Sequence, residues 1–261
     1  FSSYDPEYLI EFVRDIYWSF NVFMDYIFYD NAKAELLVDF VEFNDKKGVC
    51  KKLRGKLSLE EEIKINETAP CRVIGLTPET RPDQINYSTI KFFRKIGATR
   101  IQLGVQHIND TILRYNNRGC YNKHTIRAIQ MLKDNGYKVD IHAMVDLPSP
   151  HTISQAEMIE IDKQMLQTIN TDSNYKVDQI KIYPCVVTNH TTIKTWYDEG
   201  KYKPYGETIN IDKKVWAKMT KKEKLAHRLS NPLYSNILEY YSNVHPSIRV
   251  NRIIRDIPNN E

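Results

Sequence analysis

Strand-like and helix-like segments alternate along this chain with no tight hairpin signal between them. The sequence therefore predicts an α/β fold of parallel βαβ units, either a barrel or a doubly wound sheet. The make-up of the strands is the second observation. Strands covered on both faces by helices read as nearly continuous apolar runs, and these do not. Arg100, Gln102 and Gln106 share one parity, as do Asp140, His142, Met144 and Asp146 on the next strand, and Gln179, Lys181 and Tyr183 on a third. The opposite parity is apolar throughout: Ile101, Leu103 and Val105, then Val139, Ile141, Ala143 and Val145, then Ile180 and Ile182. Each strand thus packs one face on helices and turns the other toward a polar interior, which suits a barrel whose lumen binds a polar ligand. The third observation is that polar groups gather just past the strands, where parallel β/α proteins place their function. These are Glu79-Thr80-Arg81-Pro82-Asp83, Gln106-His107, Asp146-Leu147-Pro148 and Tyr183-Pro184.

Taken in order, Asp5 to Phe28 reads as a long helix with Asp5 as cap and Pro6 at its first position. Its apolar residues recur at helical spacing: Leu9, Phe12, Val13, Ile16, Tyr17 and Phe20. Residues 29–56 form a variable connection with a basic cluster, Lys46, Lys47, Lys51, Lys52, Arg54 and Lys56, that reads as a solvated loop. Ser58-Leu59-Glu60-Glu61 sets up a capping box for a second helix. Strands are expected at 72–77, 100–105, 138–145, 177–184 and 247–254. Helices are expected at 87–96, 109–114, 124–135, 154–169, 213–228 and 232–241, with Gly97 and Gly136 as stops. Glu79 and Arg81 are close enough in sequence to pair with each other; alternatively an Arg beside a carboxylate grips a cofactor.

Composition narrows the class. The chain has 261 residues, 41% hydrophobic and 27% charged, with a net charge of +4, a soluble globular profile that permits a nucleic-acid partner without requiring one. No stretch approaches the ~20 apolar residues of a membrane span, and the start carries no basic region followed by an apolar run. Cys50, Cys71, Cys120 and Cys185 are too scattered for a C-x2-C zinc site or a three-cysteine cluster loop. They read as reduced thiols in a cytoplasmic protein.

Several blocks carry a family resemblance: SLEEEIKINETAPCRVIGLTPETRPD (58–83), GATRIQLGVQ (97–106), NNRG (116–119), AMVDLP (143–148), DQIKIYPCVV (178–187), Trp196 with GKYKPY (200–205), and RVNRIIRDIP (249–258). Over roughly residues 1–20 and 57–258 the chain resembles the radical S-adenosylmethionine domain of the catalytic subunit of Elongator, the tRNA wobble-uridine acetyltransferase family. The resemblance implies a partial β/α barrel over residues 1–258, with a variable loop region at 29–56 and a C-terminal helical extension at 190–245. Residues 259–261 would begin a linker to a missing acetyltransferase domain. It implies S-adenosylmethionine, a 4Fe-4S cluster with ligands upstream of Phe1 together with the first strands, and acetyl-CoA bound in the missing domain. The expected activity is C5 modification, carboxymethyl-type, of the wobble uridine of tRNA. Other subunits of an Elongator-like complex are possible partners, and no metal ligand set is expected within this chain.

By motif position the resemblance marks Glu79, Arg81, Gln102, Gln106, Met144, Lys181 and Tyr183 for S-adenosylmethionine. It marks Arg118, Lys181, Arg249, Arg252 and Arg255 for tRNA. One departure is Gln102, where the family pattern has Glu: an amide still hydrogen-bonds a hydroxyl but offsets no positive charge. With the absent cluster cysteines, it supports the alternative of a cluster-less tRNA-binding relative without radical activity.

Overall fold

Five parallel strands lie side by side in the order β1-β2-β3-β4-β5: β1 (Glu79–Thr80), β2 (Arg100–Gln106), β3 (Lys138–Val145), β4 (Gln179–Pro184) and β5 (Arg249–Arg252). The computed structural model describes residues 4–27, 53–206 and 213–252. Its helices are α1 (Pro6–Ile27), α2 (Leu59–Asn66), α3 (Tyr87–Lys95), α4 (Asp110–Tyr115), α5 (Asn122–Asp134), α6 (Gln155–Thr171), α7 (Thr192–Asp198), α8 (Lys213–Lys218), α9 (Lys221–Leu229) and α10 (Pro232–Asn243). The chain divides into two compact units, residues 1–78 with 87–100, and residues 79–86 with 101–261.

In the first unit, Asp5 caps α1 by accepting from the Glu7 N–H at 2.7 Å. Leu9, Val13 and Tyr17, spaced four apart, form its buried stripe. Phe12 and Phe20, expected to belong to it, lie one position off that stripe and are exposed; Phe12 instead stacks on Tyr8 with ring centroids 6.3 Å apart. The predicted capping box forms at Ser58 and Glu61. The next residue, Glu62, is fully buried. It accepts from Arg54 Nη1 and Nη2, both at 2.7 Å, from the Leu57 N–H at 3.0 Å and from Asn21 Nδ2 at 2.8 Å. Burial alone raises a carboxyl pKa, but these donors outweigh it and the Glu62 pKa is lowered. Arg54 and Lys56 are thus not a free basic loop, since Lys56 pairs with Asp15 at 2.7 Å. Lys46, Lys47, Lys51 and Lys52 lie outside the described residues.

The expected strand at 72–77 does not form; Ile74 is 98% exposed. Register explains this. Glu79 pairs with Gln102 and Thr80 with Leu103, so residues before Thr77 would need partners upstream of Arg100. There the chain is the turn that ends α3, with Gly97 at φ +79°. A single long bond from the Thr99 N–H to the Leu76 carbonyl at 3.4 Å reaches the segment, and a run with no further backbone partner does not persist as a strand.

In the second unit β3 matches its expected bounds, and β4 pairs along its length with β3 on one side and in part with β5 on the other. The predicted parity holds. Ile101, Leu103, Val139, Ile141, Ala143, Val145, Ile180 and Ile182 are fully buried, and each such large side chain contributes about 1.5–3 kcal/mol by leaving water. α5 packs against β3, and α10 packs on α6. The single helix expected at 213–228 is two helices, because Thr220 caps a new one through a hydrogen bond from the Glu223 N–H at 3.2 Å.

Candidate active site

Four side chains of the polar parity meet on the inner face of the sheet. Lys181 Nζ donates to Gln102 Oε1 at 2.6 Å, and Gln102 Nε2 donates to Glu79 Oε2 at 2.7 Å. The amide thereby bridges an ammonium and a carboxylate, which a carboxylate at this position could not do, since the amide accepts at one end and donates at the other. His142 Nδ1 lies 3.5 Å from Glu79 Oε1, and the imidazole stands edge-on to the Tyr183 ring at 5.5 Å. Met144 and Tyr183 are cross-strand partners directly above. The register of four adjacent strands makes this constellation: Glu79 opposes Gln102, and His142 opposes Lys181.

Arg118, marked for tRNA by the resemblance, points into the protein. The NNRG turn folds its side chain inward, and Nη2 donates to the Gly104 carbonyl at 2.5 Å. A Cβ on Gly104 would come 2.8 Å from Arg118 Nη2 and 3.4 Å from Gln106 Nε2, so glycine leaves the room both side chains use. Burial lowers the Arg118 pKa. Three buried atoms around this space have no hydrogen-bond partner among the described residues: Arg118 Nε, Gln106 Oε1 and His142 Nε2. Buried polar groups are normally satisfied, so a cluster of orphans marks a place for a polar ligand. Gln106 at φ +68° and Asp146 at φ +61° hold left-handed backbone at the ends of β2 and β3, the kind of strain that concentrates at functional sites.

Arg81 and Glu79 do not pair with each other. Arg81 Nε and Nη2 grip Asp83 at 2.9 and 2.5 Å, and this hydrogen bonding pulls the Asp83 pKa down to about 2. Lys181, marked for both S-adenosylmethionine and tRNA, is engaged by Gln102 on the inner face of the sheet. Arg249 is exposed on β5; the Arg252 side chain and Arg255 lie outside the described residues. His142 is the residue the motif reading passed over. Its parity with Asp140 and Met144 was the available signal, but only the register with Lys181 brings it to Glu79.

The His142 pKa is lowered below 6.5, first by burial and then by the Lys181 charge, with Glu79 opposing. As pH falls through about 6.5 the unfolded chain binds this proton before the folded one does, so stability falls with acidification there. The urea midpoint is expected to drop between pH 7.5 and 5.5, by less in His142→Gln. Parallel pH profiles for the two proteins would remove His142 from this account.

Behind the sheet lies a second, fully buried network. The Asn109 N–H donates to His107 Nδ1 at 2.8 Å, so the ring hydrogen sits on Nε2, 3.0 Å from Asp162 Oδ1. Asp162 Oδ2 accepts from the Asp146 N–H and the Tyr205 hydroxyl, each at 2.6 Å. Asp146 in turn accepts from the Tyr205 and Gly206 N–H groups at 2.9 and 2.8 Å, and its carbonyl from the Tyr202 hydroxyl at 2.6 Å. The GKYKPY segment is thereby strapped to the end of β3. Burial holds both tyrosines protonated far above the ordinary range and pushes the neighbouring Cys185 thiol up to about 11. A cavity of about 670 Å³ beside the strap, lined by Pro184, Val187, Tyr197, Leu233 and Ile237 among others, is mainly apolar.

Cys71, Cys120 and Cys185 are free thiols, and no group of three His, Cys, Asp or Glu side chains among the described residues could hold a metal. An iron–sulfur cluster does not fit these residues. S-adenosylmethionine fits the lumen, where the buried unpartnered atoms meet the needs of a zwitterionic, hydroxyl-rich molecule.

Residues 43–161 match the family described as the Radical SAM superfamily. The tRNA uridine(34) acetyltransferases of Methanocaldococcus infernus and Methanocaldococcus jannaschii are 37% and 38% identical, over 78% and 77% of this chain and 33% and 32% of theirs. Elongator complex protein 3 of Schizosaccharomyces pombe is 30% identical over 77% of this chain and 31% of its own. The solved structure of the archaeal Methanocaldococcus infernus Elp3 with an N-terminus deletion aligns at a TM-score of 0.68 and 30% identity, covering 98% of this chain and 46% of that one. Residues 43–161 are thus similar to a radical S-adenosylmethionine domain, and the five-stranded parallel sheet is consistent with a partial β/α barrel. Within that class it resembles the tRNA uridine(34) acetyltransferases and Elongator complex protein 3, and it spans about a third of the length of these curated relatives.

Proposed function

We propose that this chain is the S-adenosylmethionine- and tRNA-binding barrel of an enzyme that modifies C5 of the tRNA wobble uridine. The observation that carries the reading is the lumen with its three buried, unpartnered polar atoms, in a chain whose relatives are named for tRNA uridine(34). When bound, S-adenosylmethionine supplies the 5′-deoxyadenosyl group that this superfamily uses as a radical source. In this reading the Arg118 guanidinium takes the carboxylate of the ligand, replacing solvent with a charge-assisted hydrogen bond. Gln106 and His142 take hydroxyl groups through Oε1 and Nε2, and Met144 and Tyr183 line the adenosyl part. The Glu79 carboxylate beside the amide of Gln102 meets the cationic end of the ligand, so the charge missing at Gln102 is supplied one strand away. The 4Fe-4S cluster, acetyl-CoA, an Elongator-like complex and a cytoplasmic setting belong to the same proposal, with the cluster and acetyl-CoA held by segments other than the described residues.

Equilibrium dialysis with labelled S-adenosylmethionine tests it. The chain should bind, and Gly104→Val should abolish binding, because the added side chain occupies the space of Arg118 Nη2 and Gln106 Nε2. Equal binding by both proteins would refute the lumen site. The scattered cysteines favour a second reading, a cluster-less tRNA-binding relative. Tight tRNA binding by protein that takes up no iron on reconstitution, and that does not cleave S-adenosylmethionine, supports that reading over the first.

A further inference from the structure

The mild net charge of the chain conceals a steep local one. Residues 213–229 hold six lysines and one arginine against a single glutamate, a balance of +6 in a chain whose total is +4, so the remaining residues sum to −2. This segment is α8 and α9 with the two-residue turn between them. Its one acid is engaged locally: Glu223 Oε2 accepts from the Thr220 N–H at 2.7 Å and from Thr220 Oγ1 at 2.8 Å, which lowers its pKa. Lys218, Lys221 and Lys222 are exposed and make no ion pair among the described residues. Elsewhere Lys56, Lys133, Lys163, Lys194 and Lys201 each hold a carboxylate within 3 Å, and among the described residues the lysines without one are spread along the chain rather than grouped. Beside the unpaired set, Trp216 carries the Lys224 ammonium 5.7 Å from its ring centroid and His227 edge-on at 6.0 Å. α9 packs on α10, and α10 is tied to α6 through Lys163–Glu239 at 2.9 Å and Asn236 Nδ2 to the Ile159 carbonyl at 3.0 Å. The cations therefore stand on a fixed platform.

We propose that α8–α9 is the surface that grips the phosphate backbone of tRNA, an inference that rests on the reading of a tRNA substrate above and adds where that substrate is held. Unpaired cations concentrated on one short hairpin match a polyanion, because each phosphate neutralised releases condensed counterions. Such contacts position the nucleic acid without reading its sequence. An anionic lipid surface is the competing occupant, since Val215, Leu225 and Leu229 are exposed on the same hairpin. The excess of cations over these three apolar residues, split between helices of six and nine residues, favours an electrostatic contact over insertion.

Filter binding of the full chain to deproteinised tRNA across a salt series tests the proposal. Lys218→Ala/Lys221→Ala/Lys222→Ala should weaken binding roughly tenfold or more near 0.1 M salt and lower the slope of log K against log salt by about 2–3. The triple arginine replacement should keep both affinity and slope, and S-adenosylmethionine binding should be the same in all three proteins. Unchanged affinity and slope in the alanine variant, with tight binding by the parent, overturns this surface and leaves the tRNA reading standing. If the parent does not bind tRNA at all, both fall. Binding to phosphatidylcholine–phosphatidylserine vesicles in place of tRNA, lost in the alanine variant, assigns the hairpin to lipid and also overturns it.

Discussion

Asp162→Ala is expected to destabilise the chain by about 3–5 kcal/mol, the range for removing one partner of a fully buried charged network. The carboxylate of Asp162 is inaccessible to solvent and accepts three hydrogen bonds, from His107 Nε2, the Asp146 N–H and the Tyr205 hydroxyl. Alanine leaves all three donors buried without an acceptor, and each costs its full desolvation rather than the smaller net worth of one hydrogen bond. Asp162→Asn should recover only part of the loss, because its amide NH2 would face a donor. The measurement is the urea unfolding transition followed by tryptophan fluorescence. A loss below about 1 kcal/mol in the alanine variant would show that the network adds little beyond packing. The same substitution frees the Tyr205 anchor, so protease cleavage near GKYKPY should accelerate before global unfolding does.

Arg118→Ala is expected to weaken S-adenosylmethionine binding about 10- to 100-fold, which corresponds to the roughly 1.5–3 kcal/mol of a hydrogen bond to a charged group. It should leave tRNA affinity unchanged. Arg118 reaches inward over Gly104, with Nε buried and without a partner among the described residues. The inward pose is inconsistent with a phosphate contact at the protein surface. Paired titrations with both ligands decide the matter. A variant that loses tRNA affinity and keeps S-adenosylmethionine affinity would assign Arg118 to tRNA, as its motif suggested.

Much of this site was legible in the sequence, and the residues show why. The period-two alternation of β2, β3 and β4 already separated Gln102, Lys181 and Tyr183 from Ile101, Ile180 and Ile182, because the pleat sends neighbouring side chains to opposite faces. The capping box at Ser58 was equally local, needing only a hydroxyl and a glutamate three residues on. RVIGLT, by contrast, has every local mark of a strand and is not one, since strand formation depends on a neighbour and the register runs out upstream of Arg100. Arg81 was read against Glu79, yet a bidentate grip on Asp83 was available two residues away. His142, Asp146 and Asp162 form contacts across 16 to 63 residues of chain, a separation no local pattern encodes.

What the sequence determined by itself was therefore the α/β class, the polar face of each strand and the family resemblance, because these depend on residue order over a few positions. The tertiary structure decided which polar residues meet. Strand register set the bridge from Lys181 through Gln102 to Glu79, a turn swung Arg118 inward, and burial singled out His142 and Asp162. The physical reason is that hydrogen-bond partners and desolvation are properties of space, and residues far apart in the chain share that space only once the sheet has formed.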